Sequence, residues 1–148
     1  MEEFPFERFE WERVQEIVLD ILNATLADDD VLARAGFCEL EEYSNVLFSK
    51  YGNHPVLLET LADFAQDVDE QLGLYRRASE EALARTMPLH TIHISWARVL
   101  IEDGKPEAAL HVLESCSRDV ELRADEDQKA RYRDLLDGAG RALRIRQE

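Results

Sequence analysis

Residues 102–114 read EDGKPEAALHVLE. Gly104 stops one apolar run, Pro106 starts the next, and Ala108 and Ala109 follow at once. Glycine adopts the left-handed conformation that ends a helix without a Cβ clash. Proline suits the first turn of a helix, where its missing N–H has no intrahelical partner. Alanine lets a second helix come close. The stretch therefore predicts one helix folded abruptly back on another.

Helical spacing extends in both directions. A first helix is expected over residues 8–26, with Trp11, Val14, Val18, Ile21 and Thr25 on one stripe, widened by Ile17, Leu22 and Leu26. Glu12, Glu16 and Asp20 form an acidic row beside it. Ala27 and the triplet Asp28–Asp30 make the turn, where an Asp can cap the next helix. A second helix is expected over residues 30–50, with Ala33, Phe37, Leu40, Tyr43, Leu47 and Tyr51 facing inward and Gly52 ending it. Further helices are expected over 55–66, 69–85, 89–103, 106–118 and 125–145, with a polar loop at 121–127. No Asn-Gly or Asp-Gly hairpin joins two β-like runs, so no strand is expected. The expectation is an all-α chain of seven helices in a single domain spanning 1–148.

Of the 148 residues, 45% are hydrophobic and 33% charged, as in a soluble protein with a proper core. No apolar run approaches the roughly 20 residues of a membrane span. The acidic, interrupted N-terminus lacks the basic start and apolar stretch of a secretion signal. Cys38 and Cys116 fall within helical patterns and read as reduced core thiols. A cytoplasmic location is expected.

The net charge is −15. Residues 1–70 carry 18 acids against four bases, Arg8, Arg13, Arg34 and Lys50, whereas residues 71–148 carry 14 acids and 13 bases. Such a balance opposes binding to phosphate backbones, so no nucleic acid is expected as a partner. An anionic membrane surface is disfavoured for the same reason. The concentrated charge is either a solvated face or a docking surface for a basic protein.

The helix pairs repeat. Trp96-Ala97, the turn at Gly104, Ala109 and Cys116 set a pattern of large residue, small residue, tight turn and small residue. Leu61-Ala62, Tyr75 and Ala78 follow it in the preceding pair, and Pro88 separates the two. This resembles the tetratricopeptide repeat (TPR), in which the second helix of each pair carries small residues where the first approaches. The second pair matches at the family's spacing; in the first, the turn after Gln66 is about three residues shorter. The helices before residue 54 do not carry the motif, so the resemblance covers roughly residues 54–118.

The resemblance implies a short right-handed solenoid of stacked antiparallel hairpins. An acidic hairpin over 1–53 would precede two repeat pairs over 54–118, and a capping helix over 119–148 would close the last apolar face. It also implies a concave groove lined by the first helix of each pair. That places Glu59, Asp63, Gln66 and Asp67 on the groove from the first pair. From the second come Thr91, Ile94, Arg98, Ile101 and Glu102.

No phosphate loop, CxxC, HExxH or GxSxG occurs, so no enzyme activity, catalytic residue or cofactor is expected. His90 and His93 share a helix face without an obvious third ligand, so no metal site is expected either. Trp11 and Trp96 read as core anchors, with a partner hot spot as the alternative. Phe4, Phe6 and Phe9 need a cover, either the first hairpin or another molecule. The expected function is a non-catalytic protein-binding module with an acidic surface for a basic protein. An immunity-type inhibitor of a cationic toxin is its concrete form. The alternative is a structural, self-associating helical protein, and a homo-oligomer is compatible with both.

Overall fold

The structure is a computed structural model describing residues 4–147. Among them are eight helices and no strand: α1 (Arg8–Leu26), α2 (Asp30–Tyr51), α3 (Pro55–Phe64), α4 (Val68–Ala84), α5 (His90–Glu102), α6 (Pro106–Ser115), α7 (Ser117–Arg123) and α8 (Glu126–Gln147). None is long and apolar enough to cross a membrane. The seven expected helices are therefore eight. The addition is α7, which runs across the boundary expected at residue 118 and into the segment expected to be a loop. Cys116 breaks the helix between α6 and α7 with φ −109° and ψ 9°. Val120 is the one buried side chain of α7, so a polar sequence with a single anchor carried no visible stripe.

The ends follow their capping chemistry. Asp29 Oδ1 accepts from the Leu32 amide at 3.0 Å, which starts α2. Gly52, at φ 81°, ends it. Pro55 opens α3 and Pro106 opens α6. The helix α3 stops two residues before its expected end because Ala65 turns extended, at ψ 138°. That frees Asp67 to cap α4, its Oδ2 accepting from the Glu70 amide at 2.9 Å.

Each helix packs chiefly on its neighbour in sequence: α1 on α2, α3 on α4, and α5 on both α4 and α6, with α8 lying across α5 and α6. One apolar cluster draws on α1 to α5, including Val14, Leu40, Leu58, Tyr75 and Ile92. A second joins Ala97, Leu100, Ala109, Leu113 and Ala139. Thus α5 belongs to both, and Trp96 packs against both while remaining partly exposed. Ala62, Ala78, Ala97 and Ala109 are completely buried, as the small positions of the sequence pattern require.

Some inward assignments change. On α1 the buried stripe is Val14, Ile17, Ile21 and Ala24; Leu22 and Leu26 lie outside it, 44% and 84% exposed. On α2, Ser44 is buried while Tyr43 stays partly exposed. Both thiols are free, but only Cys116 belongs to the core, where burial pushes it up to about 12; Cys38 is exposed. Phe6 is buried among Trp11, Tyr51 and His54, and Phe4 stands edge-on to Phe6 and Trp11 at 5.0 Å. The first hairpin thus covers part of the phenylalanine cluster, and Phe9 is left 62% exposed.

Gly36 stands at a close crossing of α2 on α1. A Cβ there would lie 2.7 Å from Ile21 Cγ1, well inside contact distance. Gly36→Ala should therefore destabilise the protein by about 1–2 kcal/mol in urea unfolding, despite alanine's better helix propensity. Ile21→Ala in the same chain should recover part of the clash, visible as coupling in a double-mutant cycle. Ser44 Oγ is buried without a hydrogen-bond partner among the described residues. Ser44→Ala should accordingly raise stability by about 1 kcal/mol in the same measurement.

Candidate functional site

The apolar residues of α3 decide where its carboxylates go. Leu57, Leu58, Leu61 and Ala62 are buried, so Glu59 and Asp63, one turn apart, share the side turned toward α5. Thr91 at the start of α5 donates through Oγ1 to Glu59 Oε2 at 3.1 Å. Tyr75 of α4 donates from its hydroxyl to Asp63 Oδ1 at 2.5 Å. Tyr75 is fully buried, so it presents Asp63 from a rigid position.

Burial, with the neighbouring Asp63 charge adding to it, pushes Glu59 up to about 7 against the Thr91 hydrogen bond. Asp63 is also raised by burial, which outweighs the Tyr75 hydrogen bond and the positive charge of Arg98. Arg98 makes no ion pair with Asp63; it pairs with Glu102 at 3.3 Å, one turn along α5. Asp63 in turn raises Tyr75, after burial itself. Two carboxyls therefore lie in one patch, with Arg98 near enough to act on Asp63 but ion-paired to Glu102. Both hydrogen bonds donate to the carboxylates and hold them in place, an arrangement suited to receiving an ammonium or guanidinium group.

The remaining expected site residues are dispersed. Gln66 and Asp67 lie exposed in the turn from α3 to α4, and Asp67 is occupied as the α4 cap. On α1, Glu12 pairs with Arg8 at 2.8 Å and Glu16 with Arg13 at 3.2 Å. Arg13 also pairs with Glu39 of α2. Asp20 has no ion pair among the described residues. The structure thus gathers Glu59, Asp63, Arg98 and Glu102 and leaves the α1 row as a separate surface.

A cleft of about 740 Å³ between α2 and α4 had no counterpart in the sequence reading. Glu41 and Glu70 line it with Arg76 and Arg77 over a floor that includes Leu61 and Leu74. Burial first, and then the Glu70 charge, raises Glu41. These residues come from different helices at no fixed spacing, so no local signal joined them.

His54, His90 and His93 are buried in the packing, and His111 is exposed. His93 Nδ1 lies 2.9 Å from the Val112 carbonyl and so carries the proton there. Its Nε2 accepts from Ser79 Oγ at 2.7 Å. His93 thereby ties α4, α5 and α6 together as a neutral ring, its pKa lowered mainly by burial. Among the described residues no group of three or more His, Cys, Asp or Glu is placed to hold a metal ion. No protein-family profile, curated protein or solved structure matches this chain.

The raised Glu59 has a definite sign. Its ordinary value is 4.5, so between there and about 7 the folded protein holds a proton that the unfolded chain has lost. Its contribution to stability is therefore most favourable below 4.5 and declines as pH rises toward 7. Glu59→Gln should match the parent below that window and exceed it in thermal stability at pH 8. Melting curves that stay parallel from pH 4 to 8 would contradict the assignment.

Proposed function

We propose that this protein is a non-catalytic, TPR-like stack of antiparallel helical hairpins that binds a basic protein through its acidic surface. The observation that carries the reading is the pair Glu59 and Asp63, one turn apart on α3, Glu59 half-buried and Asp63 exposed, each held by a hydrogen bond, with Arg98 paired to Glu102. A lysine or arginine brought by a partner supplies the missing charge and offsets their mutual repulsion. The acid excess of residues 1–70 extends the attraction outward, which speeds encounter and rejects acidic competitors. Consecutive packing of α3 on α4 and of α5 on α6, with buried alanines at the close contacts, supports the repeat architecture. An inhibitor that neutralises a cationic toxin is the concrete form of this function.

The test is capture of proteins from lysate on the immobilised parent and on the E59Q/D63N variant. It is run at low salt and at about threefold higher salt, which shortens the screening length. A basic protein should be retained at low salt, released by salt and held about tenfold less tightly by the variant. Retention by the parent should strengthen as pH rises from 5 to 8 and Glu59 ionises. Capture indifferent to salt, to pH and to the variant would set the acidic patch aside.

A further inference from the structure

The helix α1 has a second face that its own fold does not use. Opposite the buried Val14, Ile17, Ile21 and Ala24, the residues Leu19, Leu22 and Leu26 recur at spacings of three and four. They are 56%, 44% and 84% exposed. Leucines at this spacing form one continuous ridge, unlike apolar residues scattered singly over a surface. Along one flank runs the Glu12, Glu16, Asp20 row. Arg8 and Arg13 offset its first two members, while Asp20, and Asp28 and Asp30 beyond it, have no ion pair among the described residues.

We infer that this ridge docks the apolar stripe of a basic amphipathic helix from the partner, whose lysines and arginines lie along the acidic flank. The inference rests on the acidic-surface reading and adds the form of the partner's recognition element. Leucines at three- and four-residue spacing present the ridges and grooves into which another helix packs.

The flanking charge selects the occupant. A second copy packed antiparallel, ridge to ridge about a twofold axis, would set the two acidic rows along the same edge, like against like. An anionic membrane surface meets the same repulsion. A neutral helix would cover the leucines but leave Asp20 uncompensated. A cationic amphipathic helix satisfies ridge and flank together.

The probe is a synthetic peptide of about 20 residues with leucines at helical spacing and lysines along one flank. Its control is a scrambled peptide of identical composition, and binding is read by fluorescence anisotropy. The variant is L22Q/L26Q, in which glutamine keeps helix propensity at two exposed positions; circular dichroism and melting confirm its fold. The expected result is that the peptide binds, the scrambled control binds at least about tenfold more weakly, and the variant loses about tenfold in affinity for the peptide. Equal binding of both peptides, unchanged in the variant, would overturn the ridge while leaving an acidic surface for basic proteins intact. Binding of neither peptide would overturn it too, and the lysate capture separately decides the broader reading. A parent dimer in light scattering that L22Q/L26Q dissolves would assign the ridge to a second copy and overturn the inference.

Discussion

Two antiparallel helices approach closely only where one offers little beyond its backbone to the other. That constraint recurs through this chain. Ala62, Ala78, Ala97 and Ala109 have no exposed surface, and Gly36 stands where even a methyl group would strike Ile21. The large residues Leu58, Tyr75 and Leu113 fill the space around these contacts. Because α5 contributes Ile92 and Val99 to one apolar cluster and Ala97 and Leu100 to the other, it joins the halves of the molecule. If α5 were displaced, α8 would lose one of the two helices on which it lies.

Charge works against this packing and is managed at particular places. Glu10 is the one fully enclosed carboxylate of the first hairpin, 4% exposed. Burial alone would raise its pKa. The Tyr51 hydroxyl at 2.5 Å, the Glu7 amide at 2.9 Å and Lys50 at 2.9 Å together hold it below the usual range. The start of α1 is thereby fastened to the end of α2. Glu59 and Asp63 receive hydrogen bonds but no ion pair, and both are raised. The contrast separates a carboxylate ion-paired within its own fold from a pair that has hydrogen bonds alone.

The same contrast exists among the apolar residues of α1. Its inner stripe is consumed by α2 and by the cluster that includes Leu57 and Leu61. Its outer leucines are as regular in spacing but lie outside both apolar clusters and are exposed. Regular spacing shows that a face is continuous; it does not show which face the rest of the chain covers. For that reason Leu22 and Leu26 read as core in sequence and stand in solvent in the structure.

Helix content, most boundaries and the acidic bias follow from local rules: Pro55 and Pro106 open helices, Gly52 and Gly104 close them, and Asp29 caps one. The burial of Ala62, Ala78, Ala97 and Ala109 was also legible, because small residues beside large ones leave a trace in the order of the chain, whereas the close crossing at Gly36 was not. Other features depend on residues far apart in sequence. Tyr75 reaches Asp63 across the α3–α4 hairpin, Thr91 reaches Glu59 from α5, and Asp119 of α7 accepts from the Leu89 amide at the start of α5 at 2.6 Å. Desolvation depends on what covers a group, and periodicity records only which residues share a face. The sequence by itself therefore determined the all-α class and seven of the eight helices. Only the tertiary structure decided which carboxylates lie without an ion pair and which leucines remain exposed.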